Sequence, residues 1–89
     1  MNTKIDKIFQ ALADKNRLKI IKKIHQKKKI YCNEILKSFS FSQPTLSHHL
    51  HKLVESSVLK EEKKGKFHLF EINYQFLNKN GINIKKILT

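Results

Sequence analysis

Disulfides, a glycine-rich phosphate loop and a membrane span all lie outside what this chain holds. Its 89 residues include one cysteine, two glycines and one proline, with no tryptophan. A single thiol, Cys32, closes no intrachain disulfide and makes no thiolate metal site by itself, and it fits a reducing compartment. Two glycines leave nothing from which to build a phosphate-cradling loop. No run approaches the roughly 18 apolar residues of a spanning helix, and the opening MNTKIDKIFQ has no apolar signal region, so a cytoplasmic location without membrane association is expected. No acid pair or nucleophile triad stands out, and so small a core leaves little room for a substrate pocket, so neither enzymatic activity nor a cofactor is expected.

Acidic residues are also scarce. Seven Asp and Glu face nineteen Lys and Arg, for a net charge of +12, far beyond what solubility requires, and this implies a polyanionic partner. The lysines are spread over every predicted element, which favours nucleic acid over a membrane surface. Eighteen of the nineteen cations are Lys, and Ile and Asn are frequent. That skew points to an AT-rich coding sequence, so charge alone does not establish the partner. At this length, with 39% hydrophobic residues, the expectation is one small domain over residues 1–89 that covers leftover apolar surface with a second copy.

The hydrophobic spacing predicts the elements. Ile5, Ile8, Phe9 and Leu12 mark a first helix, capped at Asn2 or Thr3, and Leu18, Ile21 and Ile24 mark a second, capped by Asp14 and ending near Gln26. Ile30 and Tyr31 form a brief strand, and Asn33 caps a short helix carrying Ile35, Leu36 and Phe39. Ser42 caps a fourth helix whose first turn tolerates Pro44 and whose buried stripe is Leu46, Leu50, Leu53 and Val54. The period then changes: residues 58–63 and 66–73 read as strands closing on Lys64 and Gly65. The tail is helical, with a break at Asn80 and Gly81.

Two helices joined by a short turn and followed at once by a hairpin describe a helix-turn-helix with a wing. On a helical wheel of residues 42–55, Pro44, His48, His51 and Glu55 lie opposite the leucines, with Thr45, Ser47 and Lys52 on the flanks. Such short polar groups suit the major groove, where they meet base-edge donors and acceptors. Gln43, Thr45, Ser47 and His48 are the candidate base readers. The first turn around Ser42 and Gln43 can hold a phosphate, His51 and Lys52 suit phosphate or groove-edge contacts, and Lys63, Lys64 and Lys66 surround the hairpin tip, where they would add affinity more than sequence choice. His49 turns toward the leucine stripe and is read as a packing residue. The plainer alternative is that Ser42 only caps and the remainder is solvated surface.

These residues carry a resemblance. FQALADKNRLKII is similar to the pattern ALADPTRLRIL, and SQPTLSHHLHKL to SQPTVSRHLKVL, of the ArsR/SmtB bacterial transcriptional repressors, while KEEKKGKFHLFEIN resembles their wing. The resemblance implies a mainly α fold with a small β-hairpin, a winged helix-turn-helix dimeric through its first and last helices, and a homodimer bound to an inverted-repeat operator in double-stranded DNA. It places Gln43, Ser47 and His48 at base-reading positions, His48 standing where many relatives have Arg, whose bidentate guanine contact imidazole does not reproduce. Many relatives release DNA on binding metal at a Cys-x-Cys pair on the third helix or an Asp/His set on the last. Here Tyr31 and Asn33 stand where the cysteines belong, and residues 74–89 contain no His, Asp, Glu or Cys. No metal site is expected and no effector is assigned. Cys32 is open to oxidation as a single thiol, although free cysteine is more often a small packing residue. Ser57 replaces a common helix-ending glycine, and Arg17 implies either a phosphate contact or an internal ion pair.

Two other classes compete. A basic RNA-binding protein has the charge but lacks an exposed stacking platform, since Phe39, Phe41, Phe67 and Phe70 read as core. A zinc protein built on His25, His48, His49, His51 and His68 has only His48 and His51 on one helical face. Binding to duplex DNA, single strands and duplex RNA at one salt concentration separates the nucleic-acid readings: duplex DNA is expected to bind tightest, and tighter binding to RNA reverses the preference.

Overall fold

The computed structural model describes residues 3–89, beginning at the backbone of Thr3, so the expected cap at Asn2 or Thr3 lies outside the described residues and side chains. Helices α1 (Thr3–Leu12) and α2 (Lys15–Lys27) lead into strand β1 (Lys29–Tyr31). Helices α3 (Cys32–Ser38) and α4 (Gln43–Glu55) follow, then strands β2 (Leu59–Lys64) and β3 (Phe67–Ile72), and finally α5 (Tyr74–Lys79) and α6 (Ile84–Leu88).

The corner between α1 and α2 is fixed by two residues. Asp14 takes the N-cap of α2, its Oδ1 accepting from Asn16 N at 2.8 Å and Arg17 N at 3.1 Å. Arg17 turns back onto the end of α1, its Nε donating to Ala11 O at 2.8 Å and its Nη2 to Gln10 O at 3.3 Å, while Nη1 lies 4.0 Å from Asp14. A cation thus sits on carbonyls that have no partner within the helix, where the helix dipole favours positive charge. Of the two roles left open for Arg17, the structure takes the internal one.

The brief strand at Ile30 is part of a three-stranded antiparallel sheet ordered β1-β3-β2, so the sheet extends beyond the expected hairpin. Ile30 faces Phe70, and Leu59 faces Ile72. Glu71 lies opposite both Lys29 and Lys60 and pairs with them at 3.8 and 3.4 Å, binding the three strands by charge. β1 runs directly into α3: Tyr31 still pairs with Leu69 yet is already the N-cap, and no side chain caps there. Asn33 is therefore inside the helix, and the cap expected of it is not formed. The hairpin turn is Gly65 and Lys66, one residue later than expected, with Lys64 paired to Phe67 and Gly65 at φ 62°.

One apolar cluster joins these elements: Ile8 of α1, Ile20, Ile21 and Ile24 of α2, and Leu46 and Leu53 of α4 are each 0% exposed, with Phe70, Ile72, Leu77 and Ile84 closing the other side. Phe67, expected in the core, is instead 47% exposed on the hairpin, touching Tyr31 edge-on. Both α4 and α5 end with the carbonyl-capping turn in which a left-handed residue precedes a buried apolar one. Ser57 (φ 67°) precedes Val58, whose N–H donates to Leu53 O at 3.0 Å, and Gly81 (φ 77°) precedes Ile82, which donates to Leu77 O at 2.8 Å. The first of these stands on a residue other than glycine, at a cost of about 1 kcal/mol.

Arg17→Ala removes charge-assisted bonds that satisfy the end of α1 and is expected to lower stability by about 1–3 kcal/mol, with Arg17→Lys restoring only part because an ammonium lacks the fork. The denaturation midpoint measures this. An unchanged midpoint in both variants overturns the capping role.

Candidate nucleic-acid interface

Helix α4 is buried on one face and open on the other. Leu46, His49, Leu50 and Leu53 are buried, while Ser42, Gln43, Thr45, Ser47, His48, His51 and Lys52 are all exposed. The turn between α3 and α4 places a stacked pair, Phe39 on Phe41 with ring centres 5.3 Å apart, beneath the start of α4. Phe41 in turn lies 5.6 Å from the His49 ring. These contacts set the angle at which the first turn of α4 leaves the domain.

The exposed residues differ in how free they are. Ser42 acts as the N-cap, its Oγ accepting from Thr45 N at 3.3 Å and donating to Thr45 Oγ1 at 2.9 Å, so both hydroxyls are engaged locally. His51 approaches Glu55 at 3.3 Å on the same helix, an intrahelical partner that competes with any phosphate. The side chains of Gln43 and Ser47 have no hydrogen-bond partner among the described residues, and that of His48 has only a ring contact with His49. The open functional groups of α4 thus narrow to Gln43, Ser47 and His48, with Lys52 beside them.

The β2–β3 hairpin stands next to this face. Of β2, only Leu59 is buried, and Lys63, Lys64 and Lys66 are exposed. Lys66 Nζ lies 5.7 Å from the centre of the Phe67 ring, so the exposed aromatic supports a cation at the turn. Glu61 is held by His68 Nδ1 across the hairpin, which leaves the turn itself basic. This diagonal pair becomes visible only once the strand register is known, which is why sequence reasoning did not join the two residues.

Between α4 and the hairpin lies a cavity of about 340 Å³ lined in part by Cys32, Ser47, His51, Glu61 and His68. Burial, and secondarily the Glu61 carboxylate, pushes the Cys32 thiol above its ordinary value. That reduces the thiolate on which oxidation depends and favours packing over redox chemistry. Among the described residues no three His, Cys, Asp or Glu are grouped to hold a metal ion. Tyr31 packs edge-on against Phe67, and α5 and α6 carry no His, Cys, Asp or Glu.

His49 is 8% exposed and its Nδ1 has no hydrogen-bond partner. Desolvation, assisted by the Arg17 and His48 charges and opposed by Asp14, holds its pKa below the ordinary 6.5.

A helix-turn-helix whose second helix offers an open polar face, followed by a lysine-tipped hairpin, defines the winged class of DNA-binding proteins. Comparisons with known proteins agree. A family model described as a helix-turn-helix domain matches residues 12–62. The arsenical resistance operon repressor of Staphylococcus xylosus is 35% identical over 82 residues, covering 92% of this chain and 78% of that protein. Among solved structures, the transcriptional repressor PagR of Bacillus anthracis superposes with a TM-score of 0.78 at 25% identity, covering 96% of this chain and 93% of that one. A homodimeric winged helix-turn-helix domain of Mycobacterium bovis, described as a possible ArsR-family regulator, shares the fold with a TM-score of 0.77 at 18% identity, covering 88% and 71% of the two chains. The chain belongs to the ArsR/SmtB family of winged helix-turn-helix transcriptional regulators.

Because the folded state lowers the pKa of His49, the unfolded chain binds more protons just below pH 6.5. The stability contributed by the neutral ring is complete above that value and is lost as pH falls toward the lower folded pKa. Denaturation midpoints of the native chain should therefore fall over this interval more steeply than those of His49→Leu. Parallel pH profiles for the two proteins rule the assignment out.

Proposed function

We propose that this regulator is a repressor that binds an inverted-repeat operator as a homodimer, with Gln43, Ser47 and His48 reading base edges in the major groove. The observation that carries this reading is the row of exposed polar groups on α4 that lack protein partners while the opposite face is sealed in the core. Thr45 reads at most through its methyl group and its shared hydroxyl. Ser42 serves mainly to cap, which aligns the backbone N–H groups of the first turn toward a phosphate. Lys52, Lys63, Lys64 and Lys66 hold the backbone, as does His51 when released from Glu55.

Dimerisation is supported by large apolar side chains left open on the first and last helices, Phe9 at 54% and Ile87 at 45% exposure. The same fold is homodimeric in the Mycobacterium bovis protein. A second copy related by a two-fold axis would place the two α4 helices in successive major grooves about 34–36 Å apart. Repression in the cytoplasm without the family's usual metal sites is the resulting function. The arsenical resistance and PagR relatives are themselves named as repressors.

Substituting Gln43 or Ser47 by Ala should cost about 1–3 kcal/mol on the preferred site and relax sequence choice there. Lys64→Gln should weaken binding to every duplex alike and lower the salt slope by about one. Titrations against a sequence selected from a random pool, and against its scrambled form, measure both effects. Identical behaviour of the two kinds of variant excludes the division between base readers and phosphate holders.

A further inference from the structure

The recognition helix and the hairpin tip account for only part of the charge. Helix α2, KNRLKIIKKIHQK, contains no acidic residue. Its inner face is occupied by Ile20, Ile21 and Ile24, which leaves Lys15, Lys19 and Lys22 exposed and Lys23 half-buried on the outside. Among the described residues no carboxylate pairs with Lys19, Lys22 or Lys23, whereas Lys29 and Lys60 are both tied to Glu71. The three lysines line a groove of about 300 Å³ with Gln26, Ser38 and Phe39. Concentrating unpaired cations on one helix raises their mutual repulsion, and an anion in the groove would relieve it.

The position of this groove indicates which anion. Ser38 is the last residue of α3, and Phe39 opens the turn that delivers α4. Phe39 stacks on Phe41, which touches His49 of α4, so the floor of the groove is joined by ring contacts to the recognition helix. The groove therefore lies on α2 and the end of α3, beside the turn that leads into α4. Lys19 and Lys23 are four residues apart, about 6 Å along a helix, so the two lie one above the other on one face.

We propose that Lys19, Lys22 and Lys23 form a second phosphate-binding surface that takes the backbone of the same DNA duplex beyond the segment read by α4. This rests on the reading of α4 as the major-groove element. Gln26 supplies an amide donor within the groove, and no base contact is assigned to any of these residues.

The test uses the full chain and a duplex selected from a random-sequence pool, in a long form and in a form trimmed to the base-specific segment. Each phosphate neutralised contributes about 0.9 to the slope of log affinity against log salt. The triple variant Lys19→Gln, Lys22→Gln, Lys23→Gln should lose up to about 2.7 of that slope on the long duplex and little on the trimmed one, with sequence preference unchanged. Circular dichroism checks that these surface changes leave the fold intact, and the single variant Lys22→Gln, expected to lose about 0.9, serves if the triple variant does not fold. A native slope in the variants on the long duplex overturns the proposal, as does an equal loss on both duplexes. So does loss of binding to single-stranded RNA or an acidic peptide with duplex binding intact. Failure of the native chain to bind any duplex would instead refute the reading of α4.

Discussion

The structure depends on helix α4 being held firmly from one side only. Leu46, Leu50 and Leu53 are each at most 3% exposed, and α1, α2 and β2 all pack against the helix. Burial of three leucines stabilises the domain by several kcal/mol at about 1.5–3 kcal/mol each. That anchoring positions the opposite face, so Gln43, Ser47 and His48 are presented with their side-chain polar groups unspent. His49 is the exception on the buried side. A leucine there would remove an unsatisfied nitrogen, and the imidazole remains beside Phe41, Asp14 and Arg17 at some cost in stability.

Much of this was legible in the sequence because it follows from local rules. The caps at Asp14 and Ser42, the leucine stripe, the inward turn of His49 and the break at Asn80 and Gly81 each depend on a few neighbouring residues. The features that differed depend on pairing between distant segments. Tyr31 belongs to the ladder with Leu69, and that pairing starts α3 one residue before Asn33. The turn falls on Gly65 and Lys66 because β2 and β3 pair as far as Lys64 and Phe67, which no composition rule distinguishes from a turn one residue earlier. Phe67 alternates correctly for a strand, yet it lies beyond the point where the hairpin leaves the body of the domain, so no core reaches it.

The candidate site was legible by residue type and less so by availability. Exposure alone does not separate Thr45, whose hydroxyl is engaged with Ser42, from Ser47, whose hydroxyl is free. Nor does it show that Glu55 holds His51, or that Lys29 and Lys60 are neutralised by one carboxylate while the lysines of α2 are not. The same residue type is spent in one place and available in another, and the difference lies in the partners that the fold supplies. Arg17 shows this most clearly, since the one guanidinium in the chain is used to finish α1.

The turn at Ser57 has a mechanical consequence. Val58 is fully buried, its N–H bonds the end of α4 at Leu53, and its carbonyl accepts from Asn73 N at 2.9 Å just beyond β3. The recognition helix and both strands of the wing are thereby fastened at one point, like the fixed jaw of a caliper. A reading head built this way has little means of adjusting its opening to a duplex. On the proposed reading of α4, the duplex would conform to it, and base steps that the protein never touches would enter the affinity through the energy needed to bend or widen them.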